Sequence, residues 1–222
     1  MAINTLARSS TAALSRSRWR ATSAFLCLFL LALFAVDTVQ ADAAADAVAR
    51  NHQVSALFTT GDMRGAYTLG ETALAENRAA LGENHPEVAR SLYYLGVMNQ
   101  QRGRYEVAEQ QHLQALQIRE ATLAADDLAI ADSLMALGAM YRNRGSYAKA
   151  APLLQRALVM RETAMGPGHP DIAHDLLELA RIYRTQDQFD KAEQMARRAL
   201  GILEESHGAG DASVADALNE LA

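Results

Sequence analysis

One cysteine, one tryptophan and four prolines stand among 222 residues, and only 6% of the side chains are aromatic. The single cysteine, Cys27, excludes an internal disulfide and any multi-thiolate metal centre. Few prolines and few β-branched runs interrupt a chain dominated by alanine and leucine, residues that lose little freedom in a helix. Basic charge is not in surplus, since the net charge is −5, so a nucleic-acid-binding face is not expected. The sequence contains no G-x-S-x-G, H-E-x-x-H, Walker-type GKS/T or G-x-G-x-x-G pattern. Nothing in it supplies a nucleophile, a base and an oxyanion donor together, and a stand-alone enzyme is not expected.

The charge is unevenly placed. Residues 1–41 hold Arg8, Arg16, Arg18 and Arg20 against Asp37, which leaves 17 basic and 25 acidic residues for the remainder. "AFLCLFLLALFAV", residues 24–36, is an unbroken apolar block, and Val39 and Ala41 fit a small-x-small cleavage site ahead of Asp42. A basic start, a short apolar block and such a site together read as a secretory signal peptide over 1–41. The block falls short of the roughly 20 residues that span a bilayer, yet an uncleaved N-terminal anchor is the alternative. Cys27 follows Leu26, which does not suit a lipoprotein acylation site. The expected location is exported, periplasmic or secreted, with membrane contact only through residues 24–36 if they are retained.

What the rest of the chain has is a period. "LGENHPEVARSLYYLG" at Leu81 is answered 42 residues on by "LAADDLAIADSLMALG", then by "MGPGHPDIAHDLLELA" and "HGAGDASVADALNELA". Ala89, Ala131, Ala173 and Ala215 coincide, as do Leu92, Leu134, Leu176 and Leu218, and Leu95, Leu137, Leu179 and Leu221. Steps of three place them on one helical face. The second half repeats as well: Tyr105, Tyr147 and Phe189 match, then Ala108, Ala150 and Ala192, then Ala115, Ala157 and Ala199. Gly103 and Gly145 mark the turn between the two helices. Gly61, Ala66, Ala73 and Leu74 form a weaker upstream copy.

This helix–turn–helix unit with its small-Leu-Gly pattern and following Tyr141 and Tyr183 resembles the tetratricopeptide repeat, in the 42-residue form of kinesin light chain. The resemblance implies an all-α fold, an α-solenoid (right-handed superhelix) of stacked antiparallel helix pairs. The expected units are a degenerate one at 44–80, then 86–122, 128–164 and 170–206. Residues 212–222 form a capping helix or the start of a further repeat. Asn99, where Tyr141 and Tyr183 stand, and Asp127-Leu128 in place of His-Pro depart from the pattern.

Histidines attract attention first, and His85-Pro86 and His169-Pro170 recur two repeats apart. They read as joints: proline fits the first helical turn and disfavours helix at the residue before it. His169 and His174 lie five apart, unlike helical ligands, and His52, His112 and His207 stand singly, so neither a metal nor a cofactor is expected. Asp126-Asp127 reads as a cap for the helix starting near Leu128. Glu109, Glu193, Glu204 and Glu205 read as a solvated face.

In the resembling family the first helix of each unit lines the concave groove. That implies groove positions at Arg90, Tyr93, Val97, Gln100 and Gln101, then Asp132, Met135, Ala139, Arg142 and Asn143, then His174, Leu177, Arg181, Arg184 and Thr185. Four arginines there suit the carboxylates of an acidic segment on a protein or peptide partner, with apolar anchoring on Tyr93, Met135 and Leu177. Alternatively these arginines pair with Asp132, Asp175 and Glu178. Arg156, Arg161, Arg197 and Arg198 fall opposite the groove and are expected to be solvated or to hold acids one turn away. The function implied is a non-catalytic scaffold. Its alternatives are an assembly component that stacks through its ends, with self-association, and the repeat portion of a larger enzyme or signalling protein.

Overall fold

A computed structural model describes residues 41–208 and 211–221; the signal segment expected over 1–41 lies almost wholly outside them. The repeats fall in one compact unit that begins at Ala47. Every regular element among the described residues is a helix. Residues 41–59 are helical (α1), followed by α2 (Met63–Leu81), α3 (Pro86–Gln101), α4 (Tyr105–Thr122) and α5 (Leu128–Asn143). Then come α6 (Tyr147–Met165), α7 (Pro170–Thr185), α8 (Phe189–His207) and α9 (Ala212–Leu221).

The helix starts show how the loops work. Pro86 and Pro170 open α3 and α7, where a missing N–H costs nothing. Just before them, His85 Nδ1 accepts from Glu87 N at 3.1 Å and His169 Nδ1 accepts from Asp171 N at 3.3 Å. The histidines are therefore N-caps. At α5, Asp127 takes the same role, its Oδ1 accepting from Ala129 N at 2.8 Å. The intra-unit turns use the left-handed region, with Gly103 and Gly145 both at φ 72°. At the matching place in the next unit stands Asp187, at φ 58°, without a glycine's freedom.

α3 packs on α4, α5 on α6 and α7 on α8, and each pair packs on the next through α4–α5, α6–α7 and α8–α9. First helices also meet one another, α3 with α5, α5 with α7 and α7 with α9, whereas the described second helices do not. The stack is an α-solenoid with its first helices on the inside of the curve. Outside, side-chain pairs in one register bridge successive second helices: Arg78 donates to Gln114, and the ion pairs Arg156–Glu120 and Arg198–Glu162 follow. Arg197 pairs with Glu193 one turn away.

Close approach within a unit is set by size matching. A Cβ on Gly138 would stand 2.5 Å from Leu154 Cδ2, and one on Gly96 would stand 2.7 Å from His112 Cε1. His112, Leu154 and Ala196 share one register position, as do Gly96, Gly138 and Ala180. A bulky residue on the second helix thus goes with glycine on the first, and alanine goes with alanine. The recurring Leu92, Leu134 and Leu176 are all buried, and one core runs unbroken from Ala108 to Ala217. Leu218, which continues that series, is 51% exposed, because no second helix follows α9 among the described residues.

Candidate functional site

A cleft of about 350 Å³ opens on the concave side across three successive units. α3 contributes Tyr93, Val97 and Gln100; α5 contributes Met135, Ala136, Ala139 and Arg142; α7 contributes His174 and Glu178. Helical spacing of three and four puts each set on one face. Of the groove positions implied by the sequence, Tyr93, Val97, Gln100, Met135, Ala139, Arg142 and His174 are brought together here. Arg90, Asp132, Asn143, Arg181 and Arg184 lie outside the cleft lining. Leu177 is 6% exposed and belongs to the core, so it is no groove anchor.

The arginines are not free. Glu178 Oε1 accepts from Arg181 Nη1 at 2.9 Å, while its Oε2 lies 2.9 Å from Arg142 Nε, out of line for a hydrogen bond. Glu220, from α9, meets Arg181 Nε at 2.8 Å and Arg184 Nη2 at 3.3 Å. Glu178 and Glu220 are 42 residues apart, so the last two first helices carry a ladder of alternating charge. Arg90 has only a loose 3.7 Å contact with Glu87. Hydrogen bonds to Glu220 and the charges of both acids raise Arg181 above the ordinary guanidinium range against the cost of burial.

Arg161 corrects the sequence reading outright. It lies on α6, yet it lines the cleft. Its Nη2 donates to Asp132 Oδ1 at 2.6 Å, and its Nη1 donates to Asp175 Oδ1 and Oδ2 at 2.9 and 3.1 Å. Burial opposes its charge, but Asp175 and Asp132 outweigh that and hold it above its ordinary value. Glu109 is likewise not a free solvated acid: Tyr141 Oη donates to it at 2.6 Å and Arg144 Nη1 at 3.1 Å. Burial, together with that carboxylate, pushes the Tyr141 phenol up to about 12.

Tyr93 forms the aromatic end of the cleft. Arg119 Cζ lies 4.9 Å over its ring, and the rings of Tyr94 and His112 meet it edge-on at 5.5 and 6.3 Å. Burial raises the Tyr93 phenol. No group of three or more histidine, cysteine, aspartate or glutamate side chains among the described residues is arranged to hold a metal ion. The site offers apolar surface, one aromatic and paired charges; its geometry suits a bound segment.

An inward-facing row of first helices with a cleft across it defines the class of helical-repeat solenoids. The tetratricopeptide repeat model matches residues 46–121 and 129–205, and the chain belongs to that family. No match was found among curated protein sequences. Among solved structures, the kinesin light chain nearly identical TPR-like repeats of Podosopora anserina are similar at 21% identity and TM-score 0.67, covering 78% of this chain and 82% of that one. BtubC (BKLC) from P. vanneervenii is similar at 19% identity and TM-score 0.66, covering 83% and 81%. MamA is similar at 16% identity and TM-score 0.52, covering 72% and 79%. These are likenesses of fold.

Proposed function

We propose that this protein is a non-catalytic scaffold that holds an extended segment of a protein partner in the concave cleft, in an extracytoplasmic compartment. The observation that carries the reading is the cleft itself, shared by three consecutive units and lined by Val97, Met135, Ala136 and Ala139 beside Tyr93 and Arg142. Tetratricopeptide repeats generally act as protein-interaction scaffolds, and apolar lining with a few polar groups is what a peptide groove requires. An acidic residue flanking the anchored side chain would meet Arg142, which pairs with Glu178 alone among the described residues. Export rests on the basic and apolar pattern of residues 1–41.

A photo-crosslinking residue at Gln100 of the full-length chain should capture the same partner repeatedly from the exported fraction, and Met135→Asp should abolish capture. The same residue at Gln117, exposed on α4, should capture nothing specific. Equal yields from both positions would sink the groove reading. Recovery of the tagged full-length chain only from the cytoplasm would sink the export reading.

A second reading, stacking through solenoid ends, is favoured by Phe189, 61% exposed at the start of α8. Light scattering of the full-length chain separates it: a monomer at all concentrations excludes stacking.

A further inference from the structure

Each joint between units is built on one side-chain pair fourteen residues apart. Asn77 Nδ2 donates to Ser91 Oγ at 3.0 Å between α2 and α3. Arg119 Nη1 donates to Ser133 Oγ at 2.8 Å between α4 and α5. Arg161 Nη1 donates to Asp175 Oδ1 at 2.9 Å between α6 and α7. Positions 77, 119 and 161 follow the 42-residue period, and so do 91, 133 and 175. The next step of both series falls at Leu203 and Ala217, which are buried and apolar in the joint between α8 and α9.

These pairs sit where solvent is absent. Ser91, Ser133 and Asp175 are fully or almost fully buried, so each needs a partner to offset its lost hydration. Further bonds complete each set: Ser91 Oγ also donates to Asn51 Oδ1 at 2.8 Å, and Arg119 Nη1 also donates to Ala129 O at 2.6 Å. A successor helix carrying the wrong residue would leave a buried charge or amide unpaired. An apolar pair makes no such demand.

We propose that this pair selects which unit may follow which: the three inner joints accept only a complementary polar successor, and the joint to α9 accepts any small apolar one. Buried polar pairs are known to fix register in helical assemblies. The same residues serve the groove, since Arg161 lines the cleft and Arg119 lies over Tyr93. Joint and cleft are therefore set by common side chains.

The chain contains its own control, because Leu203–Ala217 is the apolar version of Arg161–Asp175. Full-length variants exchange the two. Arg161→Leu should lower the melting midpoint by about 5–10 °C because it strands the buried Asp175, and Asp175→Ala should lower it less because Arg161 keeps Asp132. The double variant Arg161→Leu/Asp175→Ala should return to within a few degrees of the parent. At the last joint, Leu203→Arg should melt lower, and adding Ala217→Asp should recover at least half of that loss. Hydrogen exchange at the α6–α7 and α8–α9 joints locates the effect. A double variant that melts no higher than its less stable single parent, at either joint, overturns the proposal.

Discussion

His112 lies against Gly96 so closely that no side-chain carbon fits between them: a Cβ there would meet the ring at 2.7 Å. Leu154 and Gly138 repeat the arrangement one unit later at 2.5 Å. Gly96→Ala and Gly138→Ala should each cost about 1–3 kcal/mol, since the facing side chain must leave its place in a filled core. Ala150→Trp and Ala192→Trp, also at buried small positions, should cost at least as much. Urea unfolding with an unchanged slope would show the loss as stability alone.

The same histidine predicts how stability depends on pH. Both ring nitrogens of His112 are buried without a hydrogen-bond partner, and burial together with Arg119 lowers its pKa from 6.5 to about 4. The folded protein therefore binds fewer protons than the unfolded chain between those values. Stability is fully present above pH 6.5, declines as pH falls, and has lost about 3 kcal/mol by pH 4 from this group. His112→Leu, which copies Leu154 over Gly138, should remove that dependence and raise stability by about 2 kcal/mol at pH 5. Thermal melts from pH 4 to 8 on both proteins check it; parallel curves would refute the assignment.

Asp187 holds a left-handed conformation where earlier units use glycine. Asp187→Gly should stabilise the chain by about 0.5–1 kcal/mol, the reverse of the usual glycine cost. A lower melting point would mean that the carboxylate does something the backbone does not reveal.

Charge reversal on the concave side should separate two kinds of arginine. Arg181 stands between Glu178 and Glu220, so Arg181→Glu would bring three acids together and should cost about 2 kcal/mol or more. Arg142 pairs with one acid, and Arg142→Glu should cost less stability than Arg181→Glu while weakening capture in the crosslinking assay. Equal melting of the two variants would contradict this division.

The period made the helical architecture legible, because alanines and leucines that recur every 42 residues have to be buried together. Tyr93, Met135 and Arg142 were legible as one face for the same reason. Three readings were not. Leu177 lies one position after the buried Leu176, and a helix inside a curved stack is enclosed over more of its circumference than a free amphipathic helix. Arg161 sits on a second helix, an element that normally faces outward, but its long side chain crosses the joint to reach Asp175. Its signal was present in the sequence as a fourteen-residue spacing, repeated at Arg119–Ser133 and Asn77–Ser91. Pairing of the groove arginines with Glu178 was legible as the alternative, but Glu220 was not, since it stands 39 and 36 residues from Arg181 and Arg184, a distance that no local rule covers.

Touching first helices and separated second helices make this array a spring with an inextensible inner edge. Its outer edge is bridged in one register by Arg78–Gln114, Arg156–Glu120 and Arg198–Glu162, and salt screens the attraction of the two ion pairs. Bending compliance should therefore rise with ionic strength while the helices stay intact. In small-angle scattering this would read as a broader distribution of radii at 0.5 M salt than at low salt, with unchanged helical content. The cleft would then widen and narrow as the coil flexes, so the length of segment it holds becomes a mechanical property of the whole stack.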